Sequence, residues 1–242
     1  MRVTNHVYVL SGGHYGADNY GTLGAVYGIR TQNGMILVDC GLPKTGMEMI
    51  QGTLDYYEIK DKINYVLITH SHGDHCGNAK YLQDIGAKIV AGEGDVEYLC
   101  KAGGFVLFRD TRCEEGFYHR YPAFTPDIII DKDKELVLDG LTFRFILIPG
   151  HSQGSMAIRL AYDGKSMLFV GDSITPLGIQ CDSVELGWKG DPQYDPKAQL
   201  NSMVKLSEID TDMILPGHGN ICLRNGTFVL RNAAKEAFVT LR

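Results

Sequence analysis

Five short apolar runs in this chain each stop at a residue able to bind a metal ion: "MILVD" at Asp39, "YVLITH" at His70, "FILIPGH" at His151, "MLFVGD" at Asp172 and "MILPGH" at His218. Runs of this length, rich in large aliphatic residues and bounded by Gly, Pro, Asn and Asp, read as buried strands. Side chains just past strand ends can gather at one edge of a layered structure, where loops on a rigid scaffold carry chemistry. A single strand end of this kind is an ordinary turn. Its repetition constrains the fold.

The remaining pattern agrees. "HVYVL", "LGAVYGIRT" and "GMILVDCG" read as strands, as do "NYVLIT" and "AKIVAG". From Lys44 to Tyr57 the apolar residues Met47, Ile50, Leu54 and Tyr57 recur at helical spacing, and "GNAKYLQDIG" predicts a short helix closed by Gly86. In the second half "LTFRFILIPG", "SMAIRLAY", "KSMLFVGD" and "TDMILPGHG" repeat the strand theme. A helix is expected from Asp195 to about Ile209, with Asp195 as N-cap and Pro196 in the first turn, and another from Thr227 to Leu241. Strand-rich halves that each end in helices predict a layered α/β sandwich with two packed sheets inside. No repeat, low-complexity tract or Pro-rich linker divides residues 1–242, so a single domain is expected.

Composition excludes little but is consistent. A chain of 242 residues can bury a core without staples. The formal charge of −6 argues against a nucleic-acid or anionic-membrane surface. "MRVTNHVYVLSGG" lacks the apolar core of a signal peptide, and no apolar run approaches a membrane span, so the cytoplasm is the expected location. Cys40, Cys76, Cys100, Cys113, Cys181 and Cys222 form no C-x-x-C pair, a pattern that fits reduced thiols better than a disulfide framework.

The stretch "VLITHSHGDHCGN" concentrates three of the eight histidines, with Asp74, in six positions. A bare H-x-H pair is more often structural than metal-binding. H-x-H-x-D-H followed in order by His151, Asp172 and His218 is a different signal. His70 and His72, two apart in an extended loop, point to one side, while Asp74 and His75 turn toward a neighbouring position. Neutral imidazole and carboxylate suit zinc, and they also serve iron and manganese. The seven candidates are enough for two divalent ions sharing one carboxylate.

"HSHGDH", "PGHS", "GDS" and "PGHG", in this order and spacing, resemble the metallo-β-lactamase-fold hydrolase superfamily, and the likeness extends over nearly the whole chain. It implies a four-layer αββα sandwich. It also implies that His70, His72 and His151 hold a first metal, that Asp74, His75 and His218 hold a second, and that Asp172 bridges them. Asp39 is then either a residue steadying a ligand or a turn cap.

A carboxylate at Asp172 resembles hydroxyacylglutathione hydrolases and lactonases more than antibiotic-degrading β-lactamases. Only 24 residues follow His218, fewer than the helical extension of the hydroxyacylglutathione hydrolases. Thr175 stands where acyl-homoserine lactonases carry tyrosine. The expected activity is a binuclear hydrolase of an ester, thioester or lactone, with Asp74 shuttling a proton and a small molecule as partner. A phosphodiesterase, a mononuclear iron enzyme resembling persulfide dioxygenases, and a metal-stabilised binding protein are the alternatives. Residues 103–126 could form a lid, with Phe105, Phe108, Tyr118 or Tyr121 lining an apolar pocket, or pack as an ordinary helix and loop. "SGGHYGADNYG" could form a flap, with His14 facing solvent, and Trp188 either flanks the site or anchors a loop. His6, His119 and Cys76 are given no role.

Overall fold

The computed structural model describes residues 1–12, 24–101, 121–178 and 180–241. Strands β1 (Val7–Ser11), β2 (Val26–Arg30) and β3 (Met35–Val38) pair antiparallel, and helix α1 (Thr45–Tyr56) then leads to β4 (Ile63–Leu67), parallel to β3. Helices α2 (Gly73–Cys76) and α3 (Ala79–Asp84) precede β5 (Lys88–Gly92). A short helix α4 (Val96–Leu99) lies between β5 and β6 (Ile128–Ile130), which closes a six-stranded sheet in simple sequence order.

The second sheet begins with the antiparallel series β7 (Lys134–Leu138), β8 (Leu141–Leu147), β9 (Met156–Tyr162) and β10 (Lys165–Gly171). A hairpin of β11 (Thr175–Leu177) and β12 (Ser183–Glu185) follows, then α5 (Pro196–Ser207), β13 (Met213–Pro216) and α6 (Gly226–Thr240). Strand β13 joins β10 in parallel, giving the order β13-β10-β9-β8-β7.

Three apolar layers make this the expected αββα sandwich. Along β3 the two-residue period divides the side chains: Ile36 and Val38 enter the core between the sheets, while Met35 and Leu37 face α1 and α3. Phe143, Phe145, Ile158 and Phe169 meet the first sheet from the second. On the far side of the second sheet, Ile146, Leu168 and Ile214 pack against Met203 and Leu206 of α5 and Leu230 and Ala233 of α6. Strands buried on both faces are nearly continuous apolar runs, and this made them readable.

Helix α5 starts as expected: the Asp195 carboxylate accepts from the amides of Lys197 and Ala198, and Pro196 opens the first turn. The other expected helices lie within a residue or two of their predicted limits, except that the one after Gly77 is shorter. Four strands were not anticipated: β6, β7, β11 and β12. Strand β7, "KELVL", is a sheet edge with Lys134, Glu135 and a largely exposed Val137, so its pattern is charged where a central strand would be apolar.

The cysteine expectation needs correction at one pair. Cys181 and Cys222, 41 residues apart, form a disulfide beside the β11–β12 hairpin, while Cys40, Cys76 and Cys100 are free. The two segments meet because Asn220 donates its amide to the Pro176 carbonyl and its side chain to that of Gly178. Cysteine usage therefore no longer argues for a reducing compartment. Among the described residues, no helix is long and apolar enough to cross a membrane.

Phe169 tests the joint between the sheets. It is fully buried, stacks edge-on to Tyr27 at 5.2 Å, and precedes Gly171–Asp172 by two residues. Phe169→Ala should lower unfolding stability by about 3–5 kcal/mol in denaturant titration, through lost burial and the cavity left behind.

Candidate metal centre

All five ligand-bearing strand ends open on one edge of the sandwich. The two sheets are joined there by backbone hydrogen bonds: Met156 N–H to the Thr69 carbonyl at 2.9 Å, and Ala25 N–H to the Gly217 carbonyl at 2.7 Å. The Tyr27 hydroxyl adds a third link, donating to the Pro216 carbonyl at 2.6 Å. Close approach requires glycine at two points. Gly171, before Asp172, has φ +51° and would bring a Cβ to 2.7 Å from Thr69 Oγ1; a Cβ on Gly217 would overlap Asp172 Oδ1.

The structure brings all seven sequence-predicted residues together, in two groups. In the first, His70 Nε2 and His72 Nδ1 are 3.0 Å apart, and His151 Nε2 lies 3.1 Å from His72 Nδ1 and 3.3 Å from His70 Nε2. In the second, His218 Nε2 is 3.0 Å and His75 Nε2 3.5 Å from Asp74 Oδ2. Asp172 lies between them: its Oδ2 is 3.4 Å from His218, 3.8 Å from His151 and 3.9 Å from His70, while its Oδ1 is 3.2 Å from His75. All are buried except His218, which is partly exposed.

The outer ring atoms explain which nitrogens face inward. Asp39 Oδ2 takes His75 Nδ1 at 2.8 Å, and the same carboxylate accepts from the Thr69 amide and hydroxyl. His70 Nδ1 reaches Thr69 Oγ1 at 3.1 Å. His72 presents Nε2 to Asp191, leaving Nδ1 for the cluster. Asp39 therefore steadies a ligand-type side chain and is more than a turn cap.

Electrostatics divides the groups. Burial, reinforced by neighbouring histidines, holds His70 well below the usual imidazole range and lowers His151 to about 3, so both stay neutral. Burial also opposes charge on His75 and His218, but Asp172 and Asp74 outweigh it and raise both above the usual range. The same pairings overcome burial to hold Asp74 and Asp172 well below the usual carboxylate range.

This donor set fits divalent cations. Two neutral imidazoles and a third with its outer nitrogen committed to Asp191 aim their inner nitrogens at one point. His75 Nε2 and Asp172 Oδ1 are buried 3.2 Å apart, and neither makes a hydrogen bond of good geometry. Each group offers ligand atoms within 4.8 Å of one another. Imidazole nitrogen and carboxylate oxygen are the donors that zinc, iron and manganese accept.

Other expectations resolve differently. Tyr121 does not line an apolar pocket; it is buried, and its hydroxyl donates to the Ser71 carbonyl at 3.0 Å beneath the histidine loop. Trp188 flanks the site, its ring 6.2 Å from that of His72. His6 pairs with Asp163 on the surface. Cys76 is buried with Sγ toward the Ser71 carbonyl. Phe105, Phe108, Tyr118, His119, His14 and the flap segment after residue 12 lie outside the described residues. Asp191 and Asp95 escaped the sequence reading, because "GDPQYD" and "GEGDVE" resemble ordinary turns.

The model of the metallo-β-lactamase superfamily matches residues 20–218, and the chain belongs to that family. Its two His/Asp groups are of a kind that could hold metal ions. An Aspergillus fumigatus protein named atrochrysone carboxyl ACP thioesterase is 25% identical over 186 residues, 77% of this chain and 47% of that protein. The chain thus spans about half the length of that relative. Hydroxyacylglutathione hydrolase GloC of Haemophilus influenzae is 27% identical over 167 residues, 67% of this chain and 72% of that protein. Among solved structures, BJP-1, a subclass B3 metallo-β-lactamase of Bradyrhizobium japonicum, superposes with a TM-score of 0.71 at 21% identity, covering 99% of this chain and 90% of the other. That likeness concerns the fold alone.

The raised His75 and His218 lead to a pH prediction. Any cation binding there must displace their protons, so affinity should fall as pH is lowered from about 8 to about 6, with protons released on binding. Chelator competition at both pH values measures this. A pH-independent affinity without proton release would contradict the electrostatic account.

Proposed function

We propose that the chain is a binuclear metal-dependent hydrolase of carboxylic esters, thioesters or lactones. The observation that carries this reading is Asp172, whose two oxygens lie between a three-histidine group and an Asp-His-His group. In this reading His70, His72 and His151 would hold one ion, Asp74, His75 and His218 would hold the other, and Asp172 would serve both. Zinc is the first candidate by ligand chemistry, with iron and manganese served by the same donors. Divalent ions held there would supply Lewis-acid chemistry, lowering the pKa of a water toward neutrality and polarising the oxygen of the bond to be broken.

The chain's own residues supply the rest. Asp74, buried and tied to His218 through Oδ2, is the carboxylate placed to carry a proton from the attacking water to the leaving group. Asp39 and Asp191 hold the rings of His75 and His72 at their outer nitrogens, fixing their orientation so that the inner ones point into the site. Trp188, 36% exposed beside His72, forms one wall for a small-molecule substrate. Acyl-transfer bonds are favoured because two relatives are named as a thioesterase and a hydroxyacylglutathione hydrolase.

His72→Ala and Asp74→Ala should each lower hydrolysis by about 10²-fold or more while leaving the far-ultraviolet circular dichroism unchanged. The assay is metal-loaded protein on thioester, lactone, phosphodiester and β-lactam panels. Full activity in both variants, cleavage confined to phosphodiesters, or oxygen uptake by a single bound iron would contradict the proposal.

A further inference from the structure

Asp95 has no part in the chemistry above, yet it is only 1% exposed and lies between the two loops that carry the first group of histidines. It ends the 3-10 turn Glu93–Asp95 after β5. Its Oδ2 accepts from the Ser71 amide and from the Ser152 hydroxyl, each at 2.8 Å, and its Oδ1 accepts from the Gly154 amide at 2.8 Å. Ser71 is the residue between His70 and His72, and Ser152 directly follows His151. One carboxylate from a third segment therefore ties together the backbones that aim all three imidazoles.

The surroundings leave this link little freedom. The Ser71 carbonyl accepts from the Tyr121 hydroxyl and the Cys76 thiol, so the Ser71 residue is held at both its N–H and its C=O. The Ser152 amide and hydroxyl are also fixed on Ser155 Oγ, at 3.0 and 2.8 Å. A Cβ at Gly154 would collide with the Asp95 backbone and side chain, so the turn and the loop pack in direct contact. No hydrogen bond joins Asp95 to Asp74, His75 or His218.

We infer that Asp95 is the positioning residue of the three-histidine group, setting the spacing of His70, His72 and His151 by clamping Ser71 to Ser152 and Gly154. The inference rests on the metal assignment under the proposed function and adds a selective consequence. Affinity for the ion held by the three histidines depends on Asp95, whereas affinity for the ion held by Asp74, His75 and His218 does not.

Asp95→Asn tests this, because the amide NH2 must face a backbone N–H whichever way it turns. Ser152→Ala removes one arm of the clamp and leaves the carboxylate in place. The measurement is stepwise chelator removal of zinc from the loaded full chain, with His218→Ala identifying the step that belongs to the second group. Thermal unfolding of each metal-free variant is recorded alongside. Asp95→Asn should weaken one step by about 10–100-fold and leave the step marked by His218→Ala unchanged. Ser152→Ala should weaken the same step by less, and it carries the comparison if Asp95→Asn does not fold. Unchanged affinities in both variants, or equal weakening of both steps in proportion to lost metal-free stability, would overturn the inference. A wild-type chain that takes up no zinc would defeat the metal reading itself, and this clamp with it. Two tight ions in the wild type, both retained in Asp95→Asn, would defeat the clamp alone.

Discussion

The lone pairs of seven side chains meet inside the joint between two apolar sheets, and the structure around them keeps that meeting in register. Imidazole nitrogens 3.0–3.3 Å apart repel unless a proton or cation lies between them. Carboxylates among them would be costly to bury unpaired. Strand ends supply the approach, Gly171 and Gly217 the closeness, and the outer hydrogen bonds the orientation. Burial favours the neutral form of His70 and His151, whereas pairing with Asp74 and Asp172 favours charge on His75 and His218.

Orientation is enforced from behind the ligands. Asp39 adopts a left-handed backbone (φ 60°), a conformation aspartate tolerates better than most residues, and from there contacts both His75 and Thr69. Thr69 in turn meets His70, so the hydrogen bonds of one buried carboxylate run to histidines of both groups. Asp191 acts from the loop between β12 and α5, which also presents Trp188 to the site. A substitution in that loop would therefore reach His72 as well as Trp188.

Most of the sandwich was legible because its central strands are buried on both faces and announce themselves as apolar runs ended by Gly, Pro or Asp. The seven candidates were legible because each follows such a run, so fold signal and chemical signal coincide at His70, His151, Asp172 and His218. What stayed hidden depends on contacts between distant segments. Asp191 meets His72 across 119 residues, and Asp95 meets Ser71 across 24 and Ser152 across 57. Asp191 follows no apolar run and Asp95 is set off from "AKIVAG" by "EG", so no local pattern separates them from surface turns. The Cys181–Cys222 bridge was hidden for the same reason, and β7 because an edge strand resembles a loop in its charge.

The central claim is that Asp172 unites two adjacent cation sites. Diffraction from crystals of the metal-loaded chain, collected on both sides of the metal's absorption edge, tests it most directly. The account predicts two anomalous peaks, one amid His70, His72 and His151 and one amid Asp74, His75 and His218, with Asp172 in contact with both. A single peak in the fully loaded protein, or peaks away from Asp172, would contradict it.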